Sequence, residues 1–110
     1  MATPVTTTVD RARLTAIADR LRRDYGAARI ILFGSAARDM VTAHSDIDLL
    51  VIAETRERFY ERAASVLRTV RELSYGLPLA PIVLTAKELQ ARLDRGDQFM
   101  AEVVGTGVDL

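Results

Sequence analysis

Residues Ile30 to Ile52 read IILFGSAARDMVTAHSDIDLLVI, and the fold follows from how this stretch divides. Ala28 to Phe33 and Ile47 to Ile52 have the length and branched apolar content of buried strands, with Gly34-Ser35 closing the first and Asp46 and Asp48 opening the second. Carboxylates seldom enter a buried strand unless something holds them there. Residues i and i+2 of a strand share a face, so Asp46 and Asp48 set two carboxylates side by side, roughly 6–7 Å apart at the backbone. Such oxygen donors suit a hard cation, and Mg2+ is usually held by one or two carboxylates with water and substrate phosphates completing the shell. On the other strand Gly34 lets a ligand approach the backbone. Ser35 leads into a short helix over Ala36 to Arg38, where a hydroxyl and the free N–H groups of a helix start hold an anion. Cation clamp and anion cradle together point to a nucleoside triphosphate bound as its Mg2+ complex.

Gly34-Ser35, ten intervening residues and then Asp46-Ile47-Asp48 resembles the G-S-x10-D-x-D signature of the minimal nucleotidyltransferases, small relatives of the DNA polymerase β superfamily. The wording LFGSAAR…SDIDLLV is similar to that family's, and a looser likeness extends from Tyr25-Gly26 to Gly107-Val108-Asp109-Leu110. The resemblance implies an α/β (α+β) domain with a short mixed sheet flanked by helices, the polymerase β-like nucleotidyltransferase fold. It implies Asp46 and Asp48 as catalytic metal ligands for Mg2+, and Gly34, Ser35 and Arg38 as nucleotide-binding residues. On position alone Arg38 is equally a phosphate ligand or a surface arginine. The reaction implied is transfer of a nucleoside monophosphate, commonly AMP from ATP, to an acceptor hydroxyl with loss of pyrophosphate.

Three positions depart from the family pattern. A third carboxylate on the neighbouring strand would fall at or near Ala80, the arginine that often follows Gly-Ser is Ala36, and the glycine after the second arginine is Asp39. Chains of this size that resemble the family are often antitoxins of HEPN-type ribonuclease toxins, which they bind and adenylylate. With no acceptor-binding domain before the end at Leu110, the acceptor is expected to come from such a partner. A rival expectation is a catalytically lapsed member that neutralises its partner by binding alone, and a third is a nucleotide-binding regulator unrelated to toxins. Base, acceptor and oligomeric state stay open.

The composition agrees with an ordinary globular domain. The 110 residues allow one domain with a modest core, expected over residues 9–110 behind a flexible lead-in over 1–8. Acidic and basic residues balance at 15 each, which argues against a grip on extended nucleic acid, since that depends on a net basic surface. There is no cysteine, and no apolar run reaches membrane-spanning length, so a cytoplasmic location without membrane attachment is expected.

Outward from the central stretch, Thr8 is expected to cap a helix from about Val9 to Tyr25 that buries Leu14, Ile17 and Leu21, with the arginines at 11, 13, 20, 22 and 23 mostly on its wet face. An irregular loop is expected from Asp39 to Ser45, with Ser45 orienting the turn into Asp46 and His44 an ordinary loop residue. Thr55 to Ser74 reads as one long helix whose Phe59, Ala63, Val66, Val70 and Leu73 form a core stripe. Ile82 to Leu84 is a third strand parallel to the second, and Pro81 requires that it begin late or lie at an edge. Thr85 and Glu88 form a capping box for a helix over Ala86 to Leu93. A last helix runs from Gly96-Asp97 to Gly105, and Val108 to Leu110 is a candidate edge strand. Tyr60 and Tyr75 read as packing residues with wet hydroxyls.

Overall fold

The computed structural model describes residues 10–38 and 46–110, so the lead-in, Thr8, His44, Ser45 and the loop from Asp39 lie outside the described residues. Helix α1, Arg11–Arg20, is capped by Asp10, whose carboxylate accepts from the Arg13 N–H at 3.1 Å, and it runs on into a wider π-helical turn, Leu21–Tyr25. Strand β1, Ala27–Phe33, ends in a 3-10 turn, Gly34–Arg38. Strand β2, Ile47–Ala53, is followed by α2, Phe59–Thr69; β3, Leu79–Leu84; α3, Ala86–Asp94; α4, Gln98–Thr106; and β4, Val108–Asp109.

The sheet is mixed, as the resemblance implies. Its order is β3-β2-β1-β4, with β1 antiparallel to β2 and β4, and β2 parallel to β3. Both faces are covered. Leu14 and Ile17 of α1, Leu21 of the π-helical turn and Val66 of α2 pack with the odd-numbered β2 residues Leu49 and Val51, while Met100 and Val103 of α4 pack with Leu50, Ile52, Ile31 and Phe33. Coverage on two sides is why residues 30–33 and 49–53 read as unbroken apolar runs rather than as an alternation. By the same alternation Asp46 and Asp48 belong with Leu50 and Ile52 to the α4 face.

Pro81 sits within β3, on an edge strand. The Ile47 N–H donates to the Pro78 carbonyl at 2.8 Å, so the even-numbered β3 residues turn their polar groups to β2, and Pro81 lacks its N–H on the open side, where no ladder bond is lost.

Helix α2 is shorter than the sequence implies. Thr55 accepts from the Glu57 N–H at 3.0 Å in a local turn, Arg58 is extended (φ −67°, ψ 148°), and the helix begins only at Phe59. At the far end Leu73 and Ser74 donate back to the Val70 carbonyl in successive turns instead of continuing the helix. The expected core stripe is only partly buried: Phe59 is 54% exposed, whereas Arg62 is buried beside Val66. Arg62 can lie there because its donors are met by Glu88 (2.6 and 3.2 Å) and by the carbonyls of Val83 (3.2 Å) and Glu57 (3.0 Å). Glu88 also closes the capping box with Thr85, and Arg62 first, then the Thr85 N–H, hold its carboxyl down at about 2.

Two further expectations are corrected. Tyr60 and Tyr75 do not pack, being 72% and 85% exposed, because Tyr60 falls on the outer side of the shortened α2 and Tyr75 in the turn that follows it. Arg13 is not simply solvated: its guanidinium donates to the Leu73 carbonyl at 2.8 Å and to that of Tyr75, tying α1 to the end of the α2 region. Arg20, Arg22 and Arg23 pair at the surface with Asp24, Asp19 and Asp24. Among the described residues no helix is long and apolar enough to cross a membrane.

Candidate functional site

The antiparallel register sets Phe33 opposite Asp48, so the end of β1 and the start of β2 meet where Gly34 follows Phe33. Gly34 has φ 72°, a conformation that L side chains rarely adopt, and it turns the chain directly into Ser35. A Cβ on Gly34 would strike the Asp48 carboxylate oxygen and lie 3.4 Å from its Cγ. The room left by the missing side chain is thus occupied by the second aspartate. Gly34 and Asp48, fourteen residues apart in the chain, touch.

The turn differs from the short helix expected over Ala36 to Arg38. It begins at Gly34 itself, so Ser35 lies within it, and its five residues are too few to carry an appreciable macrodipole. Ala36 is buried and anchors the turn, leaving Ser35 half-buried and Arg38 exposed.

Asp46 is exposed just ahead of β2, and Asp48 is half-buried. Burial, and then the charge of Asp46, push the Asp48 carboxyl above its ordinary value of 3.8. Two neighbouring carboxylates, one of them desolvated and neither paired with a cationic side chain among the described residues, fit a hard divalent ion as the missing countercharge. They do not make a complete cage: among the described residues no three His, Cys, Asp or Glu side chains stand close enough to share a metal. Ala80, at or near which the family pattern would put a third carboxylate, pairs in register with Asp48 and carries no ligand.

A cleft of about 400 Å³ opens beside this junction on the α4 side of the sheet. Phe33, Gly34 and Arg38 line one side, and Phe99, Glu102 and Thr106 of α4 the other. Of the residues expected to bind nucleotide or metal, Gly34 and Arg38 line it, whereas Ser35, Asp46 and Asp48 do not. The α4 wall is not apparent in the sequence, where Phe99 is simply one residue of the last helix. In the fold Phe99 is 51% exposed and meets Phe33 edge-on, with centroids 5.8 Å apart. The available signal was spacing: Phe99, Glu102 and Thr106 recur by three and four on a face beside that of the buried Met100 and Val103. Gly107 lets the chain return beside β1, since a Cβ there would collide with Ile31 and the Val103 carbonyl.

A family model described as a nucleotidyltransferase domain matches residues 14–103, from the first buried leucine of α1 to the last buried valine of α4. No curated protein and no solved structure matches the chain.

Proposed function

Because this chain belongs to the nucleotidyltransferase domain family of the polymerase β-like superfamily, we propose that it binds ATP as the Mg2+ complex and passes AMP to a hydroxyl of a partner protein. The observation that carries this reading is the contact between Gly34 and Asp48, which brings the phosphate-binding turn against the carboxylate pair. Mg2+ use is typical of the superfamily, and Asp46 and Asp48 are the residues that would hold the ion; when bound, it neutralises phosphate charge and polarises the α-phosphate. The turn residues Gly34 and Ser35 fix the triphosphate, and Arg38 offers a guanidinium to its terminal oxygens. An acceptor oxygen then attacks the α-phosphorus, the bond to the β-phosphate breaks with its electron pair, pyrophosphate leaves, and the acceptor proton passes to solvent.

The partner in this reading is a HEPN-type toxin, which the resemblance of the Gly34 to Asp48 stretch supports. A second reading is favoured by one observation, the alanine in register with Asp48: a binding-only antitoxin that has lost turnover. Calorimetry tests the shared premise. ATP binds far more tightly with Mg2+ than with EDTA, and Asp48→Asn removes most of that difference; binding without metal dependence would defeat the assignment. Labelled ATP with the partner present then separates the two readings, since only the first transfers label to protein.

A further inference from the structure

We infer that the cleft between the 3-10 turn and α4 is the nucleoside pocket, with the base stacked on Phe99 and its N–H groups donating to Glu102; this rests on the nucleotide reading above. The cleft begins at Gly34 and Arg38, the turn assigned to the phosphates, and its volume of about 400 Å³ lies in the range of small-molecule sites. Its two ends differ in charge. Arg38 on the turn attracts phosphate, whereas Glu102 on α4 repels it, so the anionic end of a nucleotide belongs at the turn and the uncharged heterocycle at α4.

The α4 end also has the chemistry that a base requires. Phe99 is half-exposed on a helix whose neighbouring Met100 is buried, and its edge-on contact with Phe33 holds the ring in place. Phe33 immediately precedes Gly34, so this aromatic wall starts one residue from the phosphate turn. An ionised Glu102 only accepts hydrogen bonds and has no partner among the described residues. It therefore selects bases that present amino donors. The Thr106 hydroxyl already donates to the Glu102 carbonyl at 2.8 Å, which leaves it as a further acceptor.

The test compares Mg-ATP with Mg-tripolyphosphate, which lacks the nucleoside, by calorimetry on the full chain. Base stacking on an aromatic side chain is lost on truncation, so Phe99→Ala weakens ATP on the order of tenfold and leaves tripolyphosphate unchanged. Phe99→Leu, which keeps apolar bulk against Phe33 but has no π face, weakens ATP similarly at a preserved melting temperature, and Phe99→Trp restores it. Glu102→Gln narrows the preference for ATP over UTP. If ATP binds and depends on Asp48, yet neither Phe99→Ala nor Phe99→Leu changes its affinity, the pocket assignment is wrong while the nucleotide reading stands. If wild-type protein binds neither probe, both fall.

Discussion

Replacing Gly34 by alanine isolates the contact on which the site is built. The substitution has two costs that the structure separates. At φ 72° an L residue is strained by about 1 kcal/mol, and the new Cβ also meets the Asp48 carboxylate. The obstructing atom ends a short side chain that can turn aside, so the collision adds about 1 kcal/mol, the low end of the range for overpacking. Gly34→Ala should therefore lose about 2 kcal/mol at neutral pH. In an Asp48→Ala background only the backbone strain remains, because the Asp48 Cβ lies 3.6 Å from the added atom, an ordinary contact. The cost there falls to about 1 kcal/mol, and the difference is the coupling energy of the pair. Urea unfolding of the four proteins at constant m-value gives each stability. Equal costs in both backgrounds, within about 0.5 kcal/mol, would show that Gly34 and Asp48 do not meet. Calorimetry on the same variants should show the Mg2+ dependence of ATP binding lost in Gly34→Ala, since the displaced carboxylate is one of the two proposed metal ligands.

The raised Asp48 carboxyl has a defined linkage: relative stability is full below the unfolded value near 3.8 and is lost as pH rises through the higher native value. Asp48→Asn should accordingly raise the melting temperature at pH 7, with the gain shrinking towards pH 3 in a pH series; destabilisation at pH 7 would contradict the desolvated, like-charged setting. Glu88 behaves oppositely, its carboxyl held at about 2, so its contribution is present above about 4.5 and fades as pH falls towards 2. Glu88→Gln should cost about 1–2 kcal/mol in neutral urea melts, discounted because the Glu88 side chain is 41% exposed, and the loss should narrow in acid. Ala80→Asp places a third carboxylate beside Asp48 and should increase label transfer from ATP to the partner; because Pro81 misses no ladder bond, no second change is needed. Unchanged transfer with intact ATP binding would show that acceptor activation does not run through this position.

The strands were legible because both faces of the sheet are covered, so the centres of β1 and β2 had to be apolar runs and a carboxylate in them stood out. Asp48 was found that way. The capping box at Thr85 and Glu88 and the edge position of β3 at Pro81 were also local matters, fixed by which residue donates or lacks an N–H. What local pattern could not supply was any contact between distant segments. Nothing in the sequence marks Arg62 for burial until Glu88, 26 positions later, is folded against it, and α2 read long because periodicity does not register the turn that Thr55 makes with Glu57. Nothing local marks Phe99 for a cleft until β4 pairs with β1 and α4 leaves that ring at its wall. Residue chemistry and spacing determine strands, caps and the carboxylate pair because these depend on neighbours within a few positions. The contact of Gly34 with Asp48 and the α4 wall were decided by tertiary structure alone, because a cleft is the space left between segments and has no spacing of its own in the chain.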